Sequence, residues 1–124
     1  MNDQYSWTKI RRLLAQSRIN STTATSILTG ASNTLYTIQI IVLCNTTGSD
    51  VTFRLFHHNT GTTYDQTTAL FYDDTVPANK TIILMEGTDF VGLYLDNSTA
   101  NFAFREGTAN AITCTVYGIE AKQG

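Results

Sequence analysis

The chain has 124 residues, a net charge of −2 and only 15% charged residues. That length suits one domain around one core, and the longest apolar run, Ile40–Cys44, is too short to cross a membrane as a helix. The polar load falls on 22 threonines, whose branched β-carbon suits a pleated strand, and two cysteines are too few for a disulfide framework.

Charge is unevenly placed along the chain. Residues 1–18 hold Lys9, Arg11, Arg12 and Arg18 against Asp3, a net +3, whereas residues 19–124 hold four cations against nine acids, a net −5. A basic arm on an acidic body points to an acidic partner for the arm. Within residues 6–18, SWTKIRRLLAQSR, the side chains of Trp7, Ile10, Leu13 and Leu14 fall at i, i+3, i+6 and i+7. This spacing predicts a short amphipathic helix capped by Ser6, with Lys9, Arg11, Arg12 and Arg18 mostly off the stripe. Such a helix is too short to be stable alone and must dock on its own core or on a partner. The expected organisation is a helical arm over residues 1–20 and a β-sandwich domain over 21–124. Deleting residues 1–18 should then leave a folded domain. The N-terminus lacks the apolar run of a signal peptide, so the cysteines are expected to be reduced and buried.

From Ile19 onward the pattern is strands and turns. A short strand over Thr22–Thr29 ends at Gly30. The central strand is Thr34–Asn45, TLYTIQIIVLCN, with Tyr36, Ile38, Ile40, Val42 and Cys44 on one face and Thr37, Gln39, Ile41, Leu43 and Asn45 on the other. Apolar residues on both faces mark it as central in its sheet. Asn45–Asp50 forms a turn, and Val51, Phe53 and Leu55 alternate with Thr52 and Arg54 in a strand that runs to His58. Residues 59–67 form the longest polar loop. Ala69–Tyr72, Lys80–Met85, Val91–Leu95, Asn101–Arg105 and Ala111–Ala121 complete about eight strands, with a tight turn at Glu86–Asp89. Short strands separated by turn signals predict an all-β, antiparallel sandwich or jelly roll.

Several segments resemble a known group: VLCNTTGSD at Val42–Asp50, VTFRL at Val51–Leu55, VPANKTIIL at Val76–Leu84, EGTD before an aliphatic strand at Glu86–Leu95, and TANAITCTVYGIE at Thr108–Glu120. Together they are similar to the small all-β virion structural proteins of tailed bacteriophages, over residues 22–120. The resemblance implies a non-enzymatic protein without a cofactor, located in the virion and assembled in the host cytoplasm. It implies a homotrimer acting as a capsid decoration or cement protein, with the major capsid protein or another virion protein as partner. A neck, tail or fibre module that binds host glycan is the alternative.

On this reading the arm carries the partner contact: Trp7, Ile10, Leu13 and Leu14 as apolar anchors, with Arg11, Arg12 and Arg18 pairing to carboxylates. The loop and strand at 59–74 offer a ligand or subunit surface through Tyr64, Asp65, Phe71, Tyr72, Asp73 and Asp74. Other constellations carry less. His57 and His58 are adjacent on a strand and so face opposite ways, which rules out one shared metal. Asp65, Asp73 and Asp74 lack the spacing of a calcium loop. Ser6–Lys9 fits S-x-x-K without the further elements that enzymes of that type need. Cys44 and Cys114 read as small core residues, and a disulfide between them stays open if their strands are adjacent. Nucleic-acid binding is not expected, because the strands carry few cations. The sequons at Asn20, Asn45, Asn79 and Asn97 read as accidents of a Thr-rich composition.

Overall fold

The structure, a computed structural model, describes residues 7–85 and 92–123. Among them are nine strands and no helix: β1 (Trp7–Arg18), β2 (Thr25–Thr29), β3 (Thr34–Asn45), β4 (Val51–His58), β5 (Ala69–Val76), β6 (Thr81–Leu84), β7 (Leu93–Leu95), β8 (Asn101–Glu106) and β9 (Ile112–Gln123). They form two antiparallel sheets. Sheet A has the order β1-β9-β3-β6, with β7 also paired to β3, and sheet B has the order β2-β8-β4-β5. The eight strands expected from the alternating pattern are all present. The turn at Glu86–Asp89, Ser6 and the start of the Val91–Leu95 segment lie outside the described residues.

The two sheets share one core. Ile38, Ile41 and Leu43 of β3 and Ile112, Cys114 and Val116 of β9 meet Phe53 and Leu55 of β4 and Phe102 and Phe104 of β8. Each of these ten side chains is buried, and their apolar area is the main stabilising contribution. The Cys114 thiol lies among them, and burial pushes its pKa up to about 12.

The N-terminal segment is a strand, not a helix. Residues Trp7–Arg18 pair with β9 from Trp7 opposite Gln123 to Arg18 opposite Thr113. A three-turn helix is marginal by itself, whereas β9 presents a long row of backbone donors and acceptors that an antiparallel neighbour satisfies. Leu14 is the extra residue of a bulge between Leu13 and Ala15. A bulge reverses which face each later residue takes. It turns Leu14 and Ala15 against the core, so a stripe with helical spacing is accommodated by a kinked strand.

A second bulge lies opposite the first, on the other side of β9. In β3 the register shifts between Ile38 and Ile40, with Gln39 as the extra residue. The strict alternation expected for this strand therefore breaks at Gln39: Ile38, Ile41 and Leu43 are core, while Ile40 is exposed. Gly118 of β9 sits between the two bulges. A Cβ there would collide with the Thr37 carbonyl and stand 3.0 Å from Leu14 Cδ1, so only glycine lets the three strands approach.

The register places Leu43, not Cys44, opposite Cys114. The two cysteines therefore take opposite faces of sheet A and are both free, with Cys44 only half-buried. Cys44 is thus not a core residue: the shift at Gln39 moves it to the outer face.

Turn chemistry gives several of the threonines a role. Asn45 Oδ1 accepts from the Thr47 amide at 2.9 Å and its hydroxyl at 2.8 Å, while Asn45 Nδ2 donates to the carbonyls of Ser49 and Val76. Asp65 accepts from the amide and hydroxyl of Thr67, and Asn97 does the same with Thr99. These are Asx turns closed by a threonine hydroxyl. Two of the four sequons, at Asn45 and Asn97, are therefore turn-forming units. Asn45 is 1% exposed, which leaves its amide no room for a glycan.

Candidate functional site

The outer face of sheet A is built by register. Leu13 of β1, Tyr117 of β9 and Ile40 of β3 are aligned across three strands. One row on, Gln16, Thr115, Val42 and Ile83 of β6 are aligned, and in the other direction Arg11, Ile119, Thr37 and Tyr94 of β7. Side chains opposite one another in a ladder share a face. Leu13 is 42% exposed, Ile40 37%, Tyr117 42%, Tyr94 44% and Ile83 48%. With Trp7 at the far end of β1, also 42% exposed, one face of one sheet thus carries six large apolar side chains in contact with solvent among the described residues. Contiguous exposed apolar surface of this kind marks interaction sites, unlike scattered single residues.

A concavity of about 380 Å³ opens at the paired bulges, lined by Arg11, Arg12, Leu13, Gln39, Ile40, Tyr117 and Gly118. Both bulges adjoin it, with Gln39, the extra residue of β3, and Gly118 of β9 in its lining. The first rim position on one side is Arg11, and Gln16 on the other donates to the Thr115 hydroxyl at 3.1 Å.

β1 is also an edge of sheet A, and an edge strand of this length is a template for pairing with another chain. The structure divides the residues expected to grip a partner. Trp7, Arg11 and Leu13 share the outer face, while Ile10 and Arg12 point the other way, beside Glu120. Arg12 donates to Glu120 Oε1 at 2.8 Å, and Lys122 lies 3.4 Å from Oε2. Arg18 donates to the Thr46 hydroxyl and to the Asn110 carbonyl, tying the end of β1 to two turns. Leu14 faces inward. Trp7, Ile10 and Leu13 are exposed, so three of the four apolar anchors remain presented, on a ribbon instead of one helical face.

The second group, from the 59–74 segment, is split as well. Phe71 packs on Phe53, with ring centroids 6.0 Å apart, and belongs to the core side. Asp65 is engaged by Thr67, whose hydroxyl and amide hold its carboxyl below the ordinary carboxylate range. Tyr64 lies against Phe56, 5.9 Å between ring centroids. Tyr72 stacks under the Arg54 guanidinium at 3.9 Å. Asp73, at a bulge with φ 58°, accepts from Arg54 Nε at 2.7 Å and Nη2 at 3.0 Å. These bonds lower the Asp73 pKa and raise that of Arg54. Asp74 is exposed. Arg54 and Arg105 were not anticipated: they are 51 positions apart, and only the β4–β8 register sets them opposite one another. His57 and His58 alternate as expected. The His58 Nδ1 accepts from the Thr63 amide at 3.0 Å.

No known protein family matches the chain, and no curated protein matches it in sequence. Among solved structures, it is similar to a chain of the infectious bursal disease virus Gx strain, at 8% identity and a TM-score of 0.45. It is also similar to a chain of the Gt strain of that virus, at 12% identity and a TM-score of 0.41. In both cases 95% of this chain and 32% of the other are covered. The chain thus spans about a third of the length of these structures' chains.

Proposed function

We propose that this protein is a non-enzymatic structural subunit of a virus particle, and that its copies associate through the outer face of sheet A. The observation that carries the reading is the aligned, solvent-exposed row Leu13, Tyr117 and Ile40, flanked by Ile83 and Tyr94. The row itself is uncharged, and Arg11 stands at its rim, where it can stay hydrated while the apolar centre is buried. Tyr117 stands at its centre, where interface energy concentrates. The strand order β1-β9-β3-β6 in one sheet and β2-β8-β4-β5 in the other supports reading the sandwich as a jelly roll, a fold common among capsid proteins.

The finer reading draws on the resemblance of Val42–Asp50, Val76–Leu84 and Thr108–Glu120 to small virion proteins of tailed bacteriophages. On that reading the protein is a homotrimeric decoration or cement protein. It binds the assembled shell, through the major capsid protein or another virion protein, and not the loose subunits. Selective binding of the assembled state favours assembly by mass action. The exposed edge of β1, with Trp7 and Ile10, is the second contact surface in this scheme.

Light scattering tests the association. The wild type is expected to have the mass of a trimer, and Tyr117→Asp that of a single chain with an unchanged far-ultraviolet circular dichroism spectrum. A monomeric wild type at every concentration, or a variant that associates as well as the wild type, contradicts the reading.

A further inference from the structure

A second concavity lies on the opposite side of the molecule, on the outer face of sheet B. It measures about 500 Å³ and is lined by Thr22, Thr23, Ala24, Arg54, Phe56, Thr62, Tyr64 and Arg105. That volume falls within the range of about 300–1,000 Å³ typical of small-molecule sites. Three features of its chemistry point the same way.

The first is charge. Arg54 and Arg105 are direct cross-strand neighbours on β4 and β8, an arrangement that repels. One carboxylate, Asp73, serves both: it takes two bonds from Arg54 and lies 3.5 Å from Arg105 Nη1. Two guanidiniums against one carboxylate leave a net positive site with capacity for one further anionic group. The Asp73 and Thr22 contacts also fix the two guanidiniums in place, since Arg105 Nε donates to the Thr22 carbonyl at 3.3 Å. A preorganised donor pair loses little entropy on binding.

The second feature is the wall. Phe56 and Tyr64 form a tilted aromatic pair, and Phe56 is almost fully buried although it stands on the outer face of its strand. The segment 59–68 covers it and is itself tied down, by Asn101 donating to the Gly61 carbonyl and by the His57 amide donating to the Thr68 carbonyl. The Tyr64 hydroxyl is sheltered and has no hydrogen-bond partner among the described residues. A buried hydroxyl without a partner keeps an unused donor at this wall.

The third is the rim. Thr22, Thr23 and Thr62 supply short hydroxyls that can donate or accept. Ring surface, neutral hydroxyls and one positive charge together match a sugar that carries a carboxylate.

We propose that this pocket binds an acidic sugar residue of a glycan, with the carboxylate at Arg54 and Arg105 and the ring against Tyr64, which Phe56 backs. The proposal is independent of the sheet A interface, which lies on the other side of the molecule. It can be tested on the full-length protein by nuclear magnetic resonance titration with glucuronate, glucose and sulfate. Glucuronate is expected to give saturable shifts at Tyr64, Thr62 and Arg105, and glucose none. Arg105→Gln removes a charge-assisted hydrogen bond and should weaken glucuronate binding roughly tenfold. Tyr64→Phe keeps the ring packing and should weaken it by a smaller factor, with the spectrum otherwise that of the folded protein. Glucuronate binding no tighter than glucose, binding unchanged in Arg105→Gln, or sulfate binding as tightly as glucuronate would each overturn the assignment, the last by showing a site for anions in general.

Discussion

A chain that begins at Ile19 is expected to lose cooperative folding. A detachable arm could be removed without harm, but β1 is paired with β9 along its whole length. Removing it breaks about ten backbone hydrogen bonds, each with a net value of about 0.5–1.5 kcal/mol. It also withdraws Leu14 and Ala15 from the core and leaves β9 as a bare edge. The loss, roughly 5–15 kcal/mol, is of the same size as the whole stability of a typical domain. Thermal unfolding followed by circular dichroism checks this. The truncated chain should show no sharp transition, or one lowered by tens of degrees, roughly. A truncated chain that melts like the full one would mean that β1 is dispensable to the fold.

The second large effect is expected at Glu106. Its side chain is fully buried at the end of β8, and Oε1 accepts from the backbone amides of Ala111 at 3.0 Å and Ile112 at 2.9 Å. The carboxyl thereby closes the turn between β8 and β9 and holds the start of β9 in line with β3. Glu106→Ala leaves two buried amide donors without an acceptor and opens a cavity, a loss of roughly 3–5 kcal/mol. Glu106→Gln keeps an acceptor oxygen at the same reach and should lose less than half as much. Urea unfolding of both variants checks the pair. An alanine variant within about 0.5 kcal/mol of the wild type would show that the turn closes without this side chain.

Most of the strand content was legible in the sequence because period-two patterning is local. Thr34–Asn45 and Ala111–Ala121 are read from their β-branched residues, and Gly and Asn mark the turns between strands. Three features were not legible, for related reasons. Trp7–Arg18 has a stripe with helical spacing, and nothing within it announces that β9 has an open edge. The choice between helix and strand was settled by tertiary pairing. The bulge at Leu14 turns the residues after it in β1 to the other face, and that at Gln39 moves Ile40 and Cys44 of β3 outward, so a strict alternation assigns them to the wrong face. Gly118 was the only local sign that the strands crowd there.

The candidate sites follow the same division. Trp7, Ile10 and Leu13 stood out as apolar residues among cations and are indeed presented to solvent, though not on one face. Tyr117 and Ile40, the centre of the exposed row, were hidden inside strands that read as core. The pocket on sheet B joins Thr22, Arg54, Tyr64 and Arg105, which only the pairing of β4 with β8 and the fold of the 59–68 segment bring together. Tyr64, Tyr72 and Asp73 were singled out from their loop, but the two arginines that give the place its charge were not.

The most direct test of the account is hydroxyl-radical footprinting of the full-length protein over a concentration series. Tyr117, Tyr94 and Tyr72 are 42%, 44% and 40% exposed in the single chain, so a lone subunit should oxidise all three at similar rates. Tyr72 lies on sheet B beside Arg54 and serves as the internal control. Association through the outer face of sheet A predicts that Tyr117 and Tyr94 become protected as concentration rises while Tyr72 keeps its rate. Equal oxidation of all three at every concentration, or protection of Tyr72 alone, would contradict it.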